Sequence, residues 1–237
     1  MMQTTRPERK HQPRGVKLLY EDAAILVVEK PCGLLTMGTE RDKSRTVHTI
    51  LNDYVRRGNP RSRNRVYIVH RLDRETSGIL LFAKSEQAKL FLQTEWECTR
   101  KIYLAVVSGH PRPQQGTISS YLVENAAFNV YSTSDPARGK LAQTDYRVVK
   151  EHKGLSLVQI QLLTGRKHQI RVHFAEKGHS LIGDRKYGKS NVASANLALH
   201  AWSLSFIHPV SRERMTYTTT VPPLFSRLVG NFELPGN

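Results

Sequence analysis

Cysteine is scarce in this chain of 237 residues: Cys32 and Cys98 are the two. Two thiols make neither a disulfide framework nor a four-ligand zinc site. They suit a reducing compartment, the cytoplasm, with ordinary packing as their expected role. Long apolar runs are also missing. No stretch approaches the roughly 18 apolar residues of a membrane span. The first fifteen residues hold no apolar segment, which argues against a secretory signal. Acidic residues are outnumbered, 20 against 36 Lys and Arg, for a net charge of +16.

That charge calls for a polyanionic partner, with nucleic acid ahead of an anionic membrane surface. No long basic amphipathic helix stands out, which weighs against the membrane. The charge is clustered. Arg56 to Arg74 holds seven arginines against Asp73 and Glu75. This stretch is either a solvated loop or a surface that tracks phosphates. Hydrophobic residues make up 39%, enough for a real core.

Residues 1–15, polar and proline-rich, are expected to form a basic, disordered arm. The rest, 16–237, shows no internal repeat or clean linker and is expected to be one domain. Strands are predicted at 25–28, 66–69, 79–83, 101–107, 116–123, 142–149, 155–163, 197–206 and 215–221. Val47, Ile50, Leu51, Tyr54 and Val55 fall on one face of a helix. Ser85 is an N-cap candidate for a second helix reaching about Glu97. A third is predicted over 167–177 and a short one near 225–229. In 155–163 a slip at Val158–Gln159 suggests a twist or bulge. Residues 124–138 are expected to be a loop or a hairpin tip, and 180–196 a loop with or without one short helix. About eight strands and three or four helices, without a βαβ rhythm, predict an α+β fold on a mixed, largely antiparallel sheet.

The centre of the chain is His70-Arg71-Leu72-Asp73-Arg74-Glu75-Thr76-Ser77-Gly78, a polar knot between two apolar runs. A carboxylate among arginines is well placed to stay ionised. From the residues alone, a charged hairpin loop explains the knot equally well. Three further segments accompany it: Val28-Glu29-Lys30-Pro31-Cys32-Gly33-Leu34, Lys101-Ile102-Tyr103-Leu104-Ala105-Val106-Val107, and Leu163-Thr164-Gly165-Arg166-Lys167-His168-Gln169-Ile170-Arg171-Val172-His173. Together and in this order, they resemble the RluA-type RNA pseudouridine synthases, from about Val16 to Pro223. The resemblance implies the pseudouridine synthase fold and an isomerase without a cofactor. The expected substrate is structured RNA, ribosomal or transfer, and the expected state a monomer.

By that resemblance Asp73 is the catalytic carboxylate, acting on C1′ or through an unsaturated sugar. Tyr103 matches the active-site tyrosine, which stacks on uracil and takes part in proton transfer. Taken alone it reads first as a strand tyrosine with its ring in the core. Arg171 matches the arginine that pairs with the catalytic Asp, with bidentate geometry open to it. Its plain reading is an exposed helix arginine, with Lys167 at i−4 on the same face. Arg71 matches the arginine that inserts where the target base leaves the stack, against a simple phosphate clamp. Arg74, Arg166, Lys167 and His168 are expected RNA contacts, the junction 163–168 aiming backbone N–H groups at an anion. Among histidines, His168 and His173 lie about 500° apart on a helix and do not form an i, i+4 metal pair. No metal site is expected. Two rivals remain: a non-catalytic RNA-binding protein of the same fold, and a metal-dependent nuclease, for which a carboxylate cluster is missing.

Overall fold

The computed structural model describes residues 12–38, 45–59, 61–188, 194 and 196–234. Most of the expected basic arm therefore lies outside the described residues. In chain order the elements are β1 (Lys17–Glu21), β2 (Ile25–Lys30), α1 (Val47–Arg56), β3 (Tyr67–Ile68), β4 (Ser77–Ala83), α2 (Glu86–Thr94), β5 (Arg100–Ser108) and β6 (Gln115–Glu124). Then follow β7 (Val130–Thr133), β8 (Lys140–His152), β9 (Leu155–Leu162), α3 (Gln169–Glu176), β10 (Leu199–Ile207), β11 (Arg214–Thr218) and α4 (Pro223–Val229).

The strands form one sheet in the order β1-β2-β4-β10-β5-β9-β8-β6-β7, with β3 beside β4 and β11 beside β10. The β4–β10 contact is parallel and short, His200 opposite Ser77 and Ala201 opposite Gly78. The other pairs are antiparallel. This is the expected mixed, largely antiparallel α+β architecture.

Past the parallel contact the sheet splits, β4 continuing with β3 and β10 with β11. Gly78 makes the close contact possible. Its φ is +115°, and a Cβ there would lie 2.2 Å from the Ala201 carbonyl oxygen. The Asp73 loop enters β4 at this point. Tyr103 on β5 faces Ala201 from the other side of β10. Two motifs far apart in the chain therefore meet across β10 where the sheet divides.

The helices cover the sheet as their apolar spacing dictates. Val47, Ile50, Leu51 and Val55 of α1 pack on Leu26, Val28, Leu80 and Phe82. Ala88 and Leu92 of α2 cover the opposite face at Val27, Ile79 and Leu81. Each fully buried Leu or Phe stabilises by about 1.5–3 kcal/mol relative to exposure. Thr46 caps α1 with a capping box, and Arg57 ends it in the left-handed region. The Ser85 hydroxyl caps α2, accepting from the Ala88 N–H at 3.1 Å.

Several expectations need correction. There are eleven strands among the described residues, not about eight. β7 lies inside the stretch expected to be a loop or a hairpin tip. α2 stops at Thr94, and Glu95–Cys98 form a tighter turn. The slip in β9 is not a bulge in that strand. Leu155 and Leu157 point to α4, while Val158, Ile160 and Leu162 point to α3. The alternation is intact and the covered face changes along the strand. The register shift sits on its neighbour β8, between Val148 and Lys150.

Candidate active site

The loop carrying Asp73 is tied down from behind by the Val28–Leu34 motif. Lys30 is fully buried, and its ammonium donates to the carbonyls of Pro31 at 3.1 Å, Leu34 at 2.7 Å and Arg74 at 3.0 Å. Burial pulls its pKa down to about 8, against the charges of Cys32, Asp73 and Glu75. The Gly33 N–H adds a bond to the Arg74 carbonyl at 2.8 Å. The Thr36 hydroxyl donates to the Leu72 carbonyl at 2.8 Å and accepts from the Leu72 N–H at 3.2 Å. His70 accepts from the Leu81 N–H at 3.1 Å and stacks on Trp96 at 4.6 Å. These bonds grip the main chain on both sides of Asp73 and leave its carboxylate pointing out, half-buried.

The facing wall is α3 and the loop after it. α3 begins at Gln169 rather than 167, because His168 takes a left-handed φ of +54°. The Gln169 side chain organises that junction. It accepts from the Arg166 N–H at 3.0 Å and the Thr164 hydroxyl at 2.9 Å, and donates to the Gln143 carbonyl and Thr144 hydroxyl at 2.9 Å. The Arg166 amide expected to meet an anion is thus already bonded. The break in helical phase also overturns the i−4 relation. Lys167 points instead to Glu124 and the Phe128 ring, away from Arg171.

Arg171 is 4% exposed, so it is no surface arginine. Its bidentate partner is not Asp73. Nε and Nη2 each donate at 2.8 Å to the two oxygens of Asp184, a residue the motifs did not flag. The remaining nitrogen, Nη1, lies 3.5 Å from Asp73 Oδ2 and 3.8 Å from Glu75 Oε2. Burial opposes the charge on Asp184, but the Arg171 bonds and the amides of Tyr187 and Lys186 hold its carboxyl below the usual range. A buried arginine requires a carboxylate, and that rule was the available signal for Asp184.

His168 stands beside Arg171. Its Nδ1 is 2.7 Å from the Tyr187 hydroxyl and its Nε2 3.9 Å from Asp73 Oδ1. Burial pushes its pKa down, opposed by Asp73 and aided by Arg171, Lys186 and Lys167. Between the walls lies a small cleft of about 70 Å³, lined by Arg71, Asp73, Tyr103, Arg166, His168 and Arg171 among others. Burial, with the Asp73 charge, pushes the Tyr103 phenol well above the usual tyrosine range. The cleft adjoins a larger cavity of about 540 Å³ on the other side of Arg171, lined by Arg74, Glu75, Arg185 and Lys186. The predicted residues Asp73, Tyr103, Arg171, Arg71, Arg166 and His168 thus share one cleft. Arg74 stands at the neighbouring cavity, and Lys167 lies outside both.

His173 and His200 are buried and bonded on both ring nitrogens, His173 to Ser120 and Thr144, His200 to Ser77 and Thr219. Both cysteines are free thiols. Among the described residues, no three of His, Cys, Asp and Glu gather as a metal site. No described helix is long and apolar enough to cross a membrane.

The family model for RNA pseudouridylate synthase matches residues 24–176. An RNA pseudouridine synthase of Synechocystis sp. is 34% identical over 220 residues, covering 90% of this chain and 67% of the relative. The ribosomal large subunit pseudouridine synthase D of Zymomonas mobilis is 34% identical over 229 residues, covering 90% of this chain and 72% of the relative. Among solved structures, human RNA pseudouridylate synthase domain containing 4 superposes with a TM-score of 0.77 at 22% identity, over 93% of this chain and 95% of that one. That likeness concerns the fold. The sequence matches, with the four motifs that build the two walls, make this chain a member of the RluA-type family of RNA pseudouridine synthases, isomerases that act on uridine in RNA.

Proposed function

We propose that Asp73 is the catalytic carboxylate of this isomerase, with Tyr103 and Arg171 completing the set. The observation that supports this best is convergence. One wall presents a half-buried carboxylate and the other, built separately, aims two groups at it, with Arg171 Nη1 3.5 Å and His168 Nε2 3.9 Å from its oxygens. In the reaction the C1′–N1 bond of uridine breaks, uracil turns, C5 bonds to C1′, and the proton lost from C5 is balanced by one taken up at N1. Positive charge develops on the sugar as the bond breaks. An ionised Asp73 either bonds to C1′ or assists through an unsaturated sugar, and in both routes its negative charge offsets the sugar. The Tyr103 phenol stays protonated at neutral pH, so it can donate to the uracil while its ring stacks on the base.

The Arg71 guanidinium, exposed at the cleft, fills the stack that the flipped uridine leaves. Arg74, Arg166, Lys167 and His168 contact the surrounding RNA, supported by the net charge of +16. The substrate in this reading is structured RNA, ribosomal or transfer; the Zymomonas relative is named for the large ribosomal subunit. The enzyme works as a cofactor-free monomer in the cytoplasm, in keeping with two free thiols.

Tritium release from transcripts carrying [5-³H]uridine, with a chelator present, tests this reading. The expected result is release without strand cleavage. RNA binding without release would favour the non-catalytic rival, and chelator-sensitive cleavage the nuclease. Mapping pseudouridines in cells lacking the gene would identify the RNA, while sedimentation and cell fractionation would check the monomer and the compartment.

A further inference from the structure

We infer that Asp184 is a positioning residue for the isomerisation, holding Arg171 so that one nitrogen is left for Asp73. The inference rests on the reading of Asp73 and Arg171 as a catalytic pair. A guanidinium offers carboxylates a planar edge, and an edge-on pair occupies both carboxylate oxygens. Asp184 takes the Nε–Nη2 edge at 2.8 Å on both bonds. Asp73 is left with Nη1 alone at 3.5 Å. If Asp73 were the edge partner, both of its oxygens would be committed. Asp184 satisfies most of the buried cation and leaves Asp73 held loosely, with oxygen free to meet the sugar.

The Asp184 carboxylate is itself fixed by the main chain. Oδ1 also accepts from the Lys186 N–H at 2.9 Å and the Tyr187 N–H at 3.0 Å. The preceding Gly183 has a φ of +78°, and a Cβ there would lie 2.1 Å from the Asn196 carbonyl oxygen. The turn is therefore closed on both sides. Tyr187, held by that amide bond, carries the second group facing Asp73. Its hydroxyl is 2.7 Å from His168 Nδ1, and its ring centroid is 5.3 Å from the Arg171 guanidinium. Both side chains that approach Asp73 from this wall hang from one carboxylate.

A merely structural counter-ion would make the same bonds, so the test must read position. D184N keeps the shape and removes the charge, freeing the Arg171 edge to turn onto Asp73. The single-turnover rate at saturating RNA should fall by about 30–100-fold, on the scale of an ångström-sized misplacement. RNA affinity should stay within about twofold, since Arg171 is not a phosphate contact in this account. In an R171K background, D184N should cost less than about threefold more, because both changes act through the same pair. A folded D184N enzyme with a near wild-type rate overturns the proposal. So does a rate loss matched by lost affinity, or one fully additive with R171K. Thermal unfolding checks folding. If D184N does not fold, D184E is judged by the same rate and affinity criteria; if neither folds, Asp184 is structural and the proposal falls. D73N is run in parallel. An active D73N removes the reading of the site, whereas an inactive D73N beside a normal D184N removes this inference alone.

Discussion

The wall that carries Asp73 is fastened by side chains bonding to main-chain groups, whereas on the facing wall Arg171 and His168 are each held by another side chain. Lys30 and Thr36 grip carbonyls on either side of Asp73. Opposite them, Arg171 is held by Asp184, and His168 sits on Tyr187. Main-chain anchoring fixes where a loop goes and leaves its side chain free. Side-chain anchoring fixes the orientation of a guanidinium and an imidazole. A carboxylate that must meet a substrate suits the first; groups that must hold a charge in place suit the second.

The difference can be broken most severely at Lys30. Lys30→Met keeps the apolar stem but takes the ammonium from three carbonyls, of which that of Arg74 keeps the Gly33 N–H. An acceptor left unsatisfied costs about 1–3 kcal/mol, so with two carbonyls losing their donor the loss should be roughly 2–6 kcal/mol, measured by urea unfolding. An unchanged midpoint would show that the ammonium does not secure the Asp73 wall.

Tyr103→Phe removes a phenol from the floor between the walls and keeps the ring. If the hydroxyl moves a proton, the single-turnover rate falls by about 10²–10⁴-fold. Near wild-type turnover would reduce Tyr103 to stacking.

Acid should act on the fold at the Arg171 wall and the sheet split. Burial pulls the pKa of both His173 and His200 down to about 4. Between about pH 6.5 and 4 the unfolded chain binds protons that these histidines refuse in the fold. Stability should therefore fall as pH falls through that window. A tenfold change in proton affinity is worth about 1.4 kcal/mol, so each histidine accounts for a few kcal/mol at most. Calorimetry across this range, with His173→Gln for comparison, checks it. A stability curve flat from pH 7 to 4.5 would contradict it.

The smallest effect is expected at the rim. Arg71→Ala should slow stem-loop RNA by about tenfold and an unstructured oligomer less, because flipping is easier there. Equal losses would leave Arg71 a phosphate clamp.

The Asp73 wall was legible only in part: Lys30 and Thr36, which tie it down, act across 44 and 36 residues, and no sequence signal marked them for that role. What was legible is contiguous, the turn around Asp73 and the apolar strand after it. The same holds for α1 and α2, whose caps and apolar faces are contiguous. The Arg171 wall was read only in part. Arg171 was found, but its partner stands 13 residues away in a loop with no periodic pattern. Leu181 and Ile182 are buried, and Gly183-Asp184 with Gly188 has turn chemistry, a pattern that marks a bend and not a partner. β7 escaped for a similar reason. It is a short edge strand with Tyr131 exposed, so half of its apolar signal is missing. The apparent slip in β9 arose because two different helices cover its two faces, which no single-strand pattern contains.

The central claim is that both walls serve one carboxylate, and Asp73→Asn tests it most directly. Asparagine keeps the shape and removes the charge from a loop residue with little core packing. Tritium release and RNA affinity should be measured at the same salt, since affinity for RNA is salt-dependent. The account predicts isomerisation below detection, a folded protein, and RNA affinity equal to or slightly above wild type. An Asn variant that still forms pseudouridine at about a tenth of the normal rate or better would contradict it.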